Sequence, residues 1–394
     1  MANPYIKQYL MTAGPTPLPP AVSQAMAQPM LYHRAPAFVE VYARALRRLK
    51  AVFQTENEVM LFAASGSGAM ESAVANLVRP GEPAVVASSG KFGERWAELC
   101  DAYGARTVHW RTEWGRKVEP AELDRVLAEQ PDAEVVFTTF SETSTGVVND
   151  IRELTDVAHR HGALIAVDAV SGLGAVPLPQ DDWGVDVVVA GSQKALMSPP
   201  GLAFASANGA ALELAAAAPG RRFYFDWGAT VSVQRKDPPD SPFTPAVGLV
   251  QALDVALGLI EDEGLAEVFE RHRLLGRATR AAARTLELEL FGPDDDNANV
   301  VTAIRLPQDL DGAAVPRLMR DRFGITVAGG QGHLKGRIVR IAHCGYFGAF
   351  DVVVTIAALE MTLSELGHEV ELGAGVAAAQ RAFLEAGVPL ATPA

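Results

Sequence analysis

The sequence has only two cysteines, Cys100 and Cys344, far apart and in no metal-like spacing. That leaves no disulfide framework and fits a reducing compartment. The start, Met-Ala-Asn-Pro-Tyr, lacks a basic stretch followed by an apolar run, so no signal peptide is expected. No stretch approaches the roughly 20 apolar residues that a membrane span needs. Basic residues are short as well: 34 Lys and Arg against 47 Asp and Glu leave a net charge of −13. A surface of that sign repels nucleic acid and anionic lipid, so neither is an expected partner. An anionic substrate would need a locally positive pocket within an unfavourable field. Internal repeats and low-complexity tracts are also missing. The expectation is a soluble, cytoplasmic protein.

What is present is ordinary globular material, 49% hydrophobic and 21% charged. At 394 residues the length prior is about two to three domains. Residues 1–20 lack periodicity and carry Gly-Pro-Thr-Pro-Leu-Pro-Pro at 14–20, which predicts an extended arm in need of another surface to lie on. Short apolar runs at 58–62, 84–87, 106–110, 134–138, 163–167 and 186–190 read as buried strands. Amphipathic stretches at 69–78, 93–103, 120–129 and 151–161 between them read as helices. That alternation predicts an α/β large domain with a mostly parallel, doubly covered sheet over 21–262. Residues 245–287 turn helical, with a seam near 262–264. Strand-like segments at 299–305, 325–328 and 337–342 and helical patterns at 310–322 and 350–366 then predict a smaller α+β domain over 263–394, ending in an alanine-rich helix and a tail.

Four places could carry chemistry. Ser65-Gly66-Ser67-Gly68 follows a strand and opens a helix, where free amides and the positive helix end suit a phosphate. Glu71 stands where a dinucleotide fingerprint needs its third glycine, and no Lys-Ser or Lys-Thr follows as a Walker loop requires. The alternative is a glycine turn with a serine cap. Asp168 ends the run Ala163–Val167, so its carboxylate faces the crevice at the C-terminal edge of a parallel strand, unless it merely caps a loop. Lys194, in Gly191-Ser192-Gln193-Lys194, stands past another strand end, where partial burial would free an amine for Schiff-base chemistry. A phosphate turn, a strand-end acid and a strand-end lysine, in that order, are what a pyridoxal-5′-phosphate (PLP) site on this sheet would require: the carboxylate keeps the pyridine nitrogen protonated. Arg340 lies inside the apolar strand Ile338–Ala342, where its charge needs a partner: a substrate α-carboxylate held bidentately, or an internal ion pair.

With these residues in view, the chain resembles the class V (fold type I) aminotransferases, on the alanine/serine–glyoxylate aminotransferase branch. The resemblance runs from Gly14–Pro20 to the Arg340–Tyr346 segment and is carried by Ser141-Glu142-Thr143-Ser144-Thr145-Gly146-Val147, Val167-Asp168-Ala169-Val170 and Gly191–Leu196. It implies that Lys194 holds PLP covalently and shuttles a proton, that Asp168 pairs with the pyridine nitrogen, and that Val170 packs on the ring. Ser65, Gly66, Ser67 and Gln193 would cradle the phosphate, and Thr143 would bond near the ring hydroxyl. Phe92 would stack on the ring where the family often has tryptophan. Thr244 would reach the phosphate of the other subunit, in a homodimer with composite sites, although Ser241 replaces a frequent tyrosine. Arg340 would bind the substrate carboxylate, and no metal is implied. The activity implied is transamination between L-alanine or L-serine and glyoxylate or pyruvate. The alternatives are a phosphoserine or phosphonate aminotransferase, a cysteine desulfurase or lyase using Cys344, and a non-catalytic subunit. His159 and His161 read as helix-end residues, Asp294-Asp295-Asp296 as a solvated turn, and His33-Arg34 as a basic pair that could approach a neighbouring site.

Overall fold

The computed structural model of the protein describes residues 7–218 and 222–387. Its central sheet is built from β-branched runs such as Val187-Val188-Val189, whose residues alternate between two hydrophobic cores. Val187 and Val189 pack in one core and Val188 in the other. A strand apolar on both faces is stable only when helices cover both sides. Seven strands lie in the order Glu58–Phe62, Ala203–Ala207, Val187–Gly191, Leu164–Asp168, Val135–Thr139, Pro83–Ser88 and Arg106–Arg111. All pairings are parallel except those of Ala203–Ala207, which runs antiparallel to both its neighbours. Periodicity did not single out this strand, because Ala-Phe-Ala-Ser-Ala is made mostly of small residues with little strand preference. The helices expected between the strands form at Gly66–Leu77, Lys91–Ala102, Pro120–Ala128 and Ile151–Arg160.

Helices Val247–Glu263 and Leu265–Thr285 are separated by Gly264, whose positive φ of 91° breaks the run near the expected seam. Beyond it, strands Val301–Arg305, Ile338–Ala342 and Ala328–Gly329 form a three-stranded antiparallel sheet, which packs on Leu265–Thr285 and shares one hydrophobic core with Ala314–Phe323 and Ala349–Glu365. The single strand expected at 325–328 is two short ones. Ile325–Thr326 turns away and pairs in parallel with Tyr9–Leu10 of the N-terminal segment.

That pairing corrects the expectation for the arm, which needs no foreign surface. The Met11 amide donates to the Thr326 carbonyl at 2.8 Å and the Ala342 amide donates to the Met11 carbonyl at 3.2 Å, with Met11 and Thr16 buried. Residues 1–6 of the arm and 388–394 of the tail lie outside the described residues; the helix expected before the tail is Ala374–Ala386. The aspartate triplet is also more than a solvated turn. Asp294 and Asp296 hold the buried Arg280 at 3.2 and 3.1 Å, and Asp295 pairs with Lys117.

Candidate active site

Three strand ends and the N-terminal arm meet at the C-terminal edge of the sheet. The chain leaving Glu58–Phe62 turns at Ser65 and starts the helix Gly66–Leu77; the Gly68 and Ala69 amides donate to the Ser65 carbonyl at 2.8 and 3.2 Å, while the Gly66 and Ser67 amides have no carbonyl one turn back to accept them. The Ser65 hydroxyl does not cap this helix, so amides and hydroxyl alike remain available. Gly66 is bare by necessity: a Cβ there would come 2.7 Å from the Val170 side chain. Asp168 ends its own strand, and its carboxylate accepts the Val170 amide at 2.8 Å. Burial pushes its pKa up to about 7. The Val170 amide and the positive charges of Lys194 and Arg95 oppose that rise, and the negative charge of Glu142 adds to it.

Lys194 is buried, and burial lowers its pKa, so its amine loses its proton more easily than a surface lysine. Its backbone is clamped by the arm. The Thr16 hydroxyl donates to the Lys194 carbonyl at 3.0 Å and the Thr16 amide to the Gln193 carbonyl at 3.1 Å. The Lys194 Nζ donates to the Ala13 carbonyl, and Gly14, with φ of 118°, passes so close that any side chain there would overlap the end of Lys194. Ser65, Gly66, Ser67, Phe92, Asp168, Val170, Gln193 and Lys194 line one cavity of about 290 Å³, joined by Gly14, Pro15, Met70, Arg95, Ser171 and Pro200. A larger groove of about 770 Å³ lies far from these groups, where Glu289 pairs with Arg305 at 3.3 Å, and it gathers no comparable set of reactive side chains.

One wall of the cavity rests on Glu142, a fully buried carboxylate. It accepts the amides of Phe92 at 3.0 Å and Gly93 at 2.9 Å, and the amide and hydroxyl of Ser144 at 3.0 and 2.6 Å. The Ser144 hydroxyl in turn accepts the Lys91 amide at 3.0 Å. A carboxylate 50 residues away thus caps the helix Lys91–Ala102 and fixes the turn that carries Phe92 and Arg95. Burial raises the Glu142 pKa, while four donors favour its charged form. Neither Glu142 nor Arg95 was anticipated. Glu142 stands inside the Ser141–Val147 motif, and Arg95 lies three residues past Phe92, one helical turn along the same face.

Arg340 and Thr143 lie beside this cavity rather than lining it. The expectation that Arg340 needs an anionic partner is corrected, because backbone carbonyls serve. Nε donates to Gly329 at 2.9 Å and Nη1 to Thr143 at 2.6 Å, while Nη2 has no partner among the described residues. Its charge still reaches Lys194, whose pKa it helps to lower. Thr244 is exposed and outside the cavity; the half-buried His33 and exposed Arg34 also lie outside it, their side chains bonding each other at 3.0 Å. His159 bonds Asp186 at 2.9 Å and His161 bonds Asp124 at 3.0 Å at the end of their helix. Cys344 is buried, and burial pushes its thiol up to about 11, which leaves no appreciable thiolate at neutral pH.

The aminotransferase class-V family model matches residues 8–342. The chain belongs to that family. It is 44% identical to a soluble hydrogenase small subunit of a Synechococcus species, over 95% of this chain and 98% of the relative. It is 34% identical to the serine–glyoxylate aminotransferase of Methylorubrum extorquens, over 95% of both. The crystal structure of ureidoglycine–glyoxylate aminotransferase from Bacillus subtilis superimposes with a TM-score of 0.92 at 28% identity, covering 98% of this chain and 99% of that one. The protein is an aminotransferase with the class V, type I fold.

Proposed function

We propose that this aminotransferase binds PLP in the 290 Å³ cavity and moves an amino group from L-alanine or L-serine to glyoxylate or pyruvate. The observation that carries this reading is the convergence of a buried amine, a buried acid and an open helix N-terminus on one cavity at the sheet edge. The donor set suits the cofactor. The Gly66 and Ser67 amides and the Ser65 and Ser67 hydroxyls form a phosphate cup, and Gln193, whose carboxamide carries an N–H donor pair, lines the same cavity. The bare face of Gly66 brings Val170 against the space a flat ring would fill. Bound there, PLP supplies an aldehyde and an electron-accepting ring.

The residues of the chain do the rest. Asp168 holds a negative charge against the ring nitrogen, and that opposing positive charge brings its own pKa back down. Lys194, with its lowered pKa, takes and returns the proton at the substrate Cα. Phe92 covers a ring face. The free end of the Arg340 guanidinium receives the substrate carboxylate and orients the Cα–H bond. Cys344 gives no support to sulfur transfer, because its thiol is buried and protonated.

The reading extends to a cytoplasmic two-fold homodimer in which Thr244 reaches the partner's phosphate cup, with 1–20, 21–262 and 263–394 as arm, large and small domains. Exposed aromatics beside Thr244 support such an interface. Phe223 is 82% exposed, and Tyr224 stacks on Phe243 with ring centres 5.1 Å apart. Mixing the PLP-loaded protein with single amino acids and ranking their conversion of the cofactor to its amine form tests the function. Alanine and serine should lead, and a protein that no amino acid converts would refute it.

A further inference from the structure

The phosphate cup has a charge problem. A phosphate ester carries close to two negative charges near neutral pH. The whole chain carries −13, and a helix N-terminus offers only about half a positive charge. Two cationic side chains line the cavity, Lys194 and Arg95. Lys194 is drawn to the Ala13 carbonyl and has a lowered pKa, so it is a poor counter-ion.

Arg95 is the other. Its Nη1 donates to the Ser67 hydroxyl at 2.9 Å, which places the guanidinium against the cup itself rather than at the Arg340 side of the site. The guanidinium lies 5.2 Å from the centre of the Phe92 ring, a cation–π contact that steers the half-buried side chain inward. Asp168 shares the cavity and feels the Arg95 charge without an ion pair, and the other carboxylates around Arg95 are occupied elsewhere. Glu94 bonds the Trp114 indole at 3.1 Å and pairs with Lys91, which also takes Glu98 at 3.0 Å, and Glu142 is filled by its four donors. Among the described residues Arg95 has no acidic partner within ion-pair distance.

We propose that Arg95 is a cofactor-positioning residue that supplies the full positive charge facing the phosphate, an inference that rests on the PLP reading above. Its planar fork can reach phosphate oxygens while keeping the Ser67 contact. The turn built on Glu142 therefore delivers two groups together, a ring for the cofactor's face and a cation for its phosphate. Arg95 is then what lets an acidic protein discriminate the phosphorylated cofactor from free pyridoxal.

The test uses full-length protein stripped of cofactor, comparing wild type, Arg95→Gln and Arg95→Lys. Affinities for PLP and for unphosphorylated pyridoxal are titrated by absorbance, and the shift of Tm by inorganic phosphate is measured separately. The Gln variant should lose roughly tenfold to hundredfold in PLP affinity, the range of one charge-assisted hydrogen bond. Pyridoxal affinity should stay within about threefold, since additive effects on the rest of the site are small. Phosphate should raise the Tm of wild type and not of Arg95→Gln, with Arg95→Lys in between. Equal losses for PLP and pyridoxal, or an unchanged phosphate shift, would overturn the inference. A wild type that binds no PLP, yet is stabilised by phosphate through Arg95, would sink the cofactor reading while upholding this anion site.

Discussion

The floor and the wall of the cavity are built on different principles. The floor is Asp168, Lys194 and the Ser65–Ser67 turn, each standing at the C-terminal end of a strand or at the turn just after one. Its groups converge because the strand ends converge, so strand geometry positions each, with the arm adding a clamp on the Lys194 carbonyl from 178 residues away. The wall is Phe92 and Arg95, with Thr143 and Arg340 beside it, held by contacts between residues far apart in sequence. The Thr143 carbonyl receives Arg340 from 197 residues away, and Glu142 caps a helix 49 and 50 residues before it. The difference teaches that the floor should fail through chemistry and the wall through placement.

The largest effect belongs to the floor. Lys194→Ala should abolish turnover and leave a folded protein that still takes up PLP non-covalently, as followed by circular dichroism and absorbance. Asp168→Asn keeps the shape and the Val170 hydrogen bond but removes the charge. It should cost more than about 4 kcal/mol in kcat, at 1.36 kcal/mol per tenfold, and a loss under tenfold would remove Asp168 from the chemistry. The wall should give smaller numbers. Arg340→Lys keeps the charge and loses the fork, costing roughly 2–4 kcal/mol in kcat/KM for donor and acceptor alike. Alanine and a matched amine without a carboxylate separate the roles: equal losses would make Arg340 structural. Glu142→Gln places an amide against four donors and should cost about 1–3 kcal/mol of unfolding free energy, read from denaturant titration. Its kcat should fall less than in Asp168→Asn, because the charge facing the ring is untouched.

Counted per pH unit, the smallest effect concerns the titration of Asp168. The Asp168 carboxyl is raised from 3.8 to about 7 in the folded, cofactor-free protein, so folding takes up a proton between those values. Its favourable contribution is fully present below the unfolded value and is lost as pH rises through about 7. Cofactor-free Asp168→Asn should therefore be more stable than wild type at pH 8. That gap should close towards acid pH by at most about 1.4 kcal/mol per pH unit. A pH-independent gap would mean that the carboxyl is not buried in a proton-sensitive form.

The same contrast explains what the sequence disclosed. Val187–Gly191 and Leu164–Asp168 announce themselves by unbroken apolar runs, and a charged residue at the end of such a run has nowhere to point but the crevice. Glu142 looks like any polar residue in a loop, and only the fold brings the Phe92 and Gly93 amides to it. Arg95 sits on an amphipathic helix as surface arginines do. The arm's docking was hidden for a related reason. Tyr9–Leu10 is a two-residue strand whose partner, Ile325–Thr326, lies more than three hundred residues on, and no local periodicity reports it. Ala203–Ala207 was lost because its strand character comes from the pocket between two neighbours rather than from its side chains.

The claim everything else depends on is that the strand-end lysine is the one that holds the cofactor. Borohydride reduction of the PLP-loaded protein, followed by digestion and mass mapping of the labelled peptide, measures this directly. A single label is expected on Lys194, absent in Lys194→Ala. A label on any other lysine, or none on a protein that converts amino acids, would contradict it.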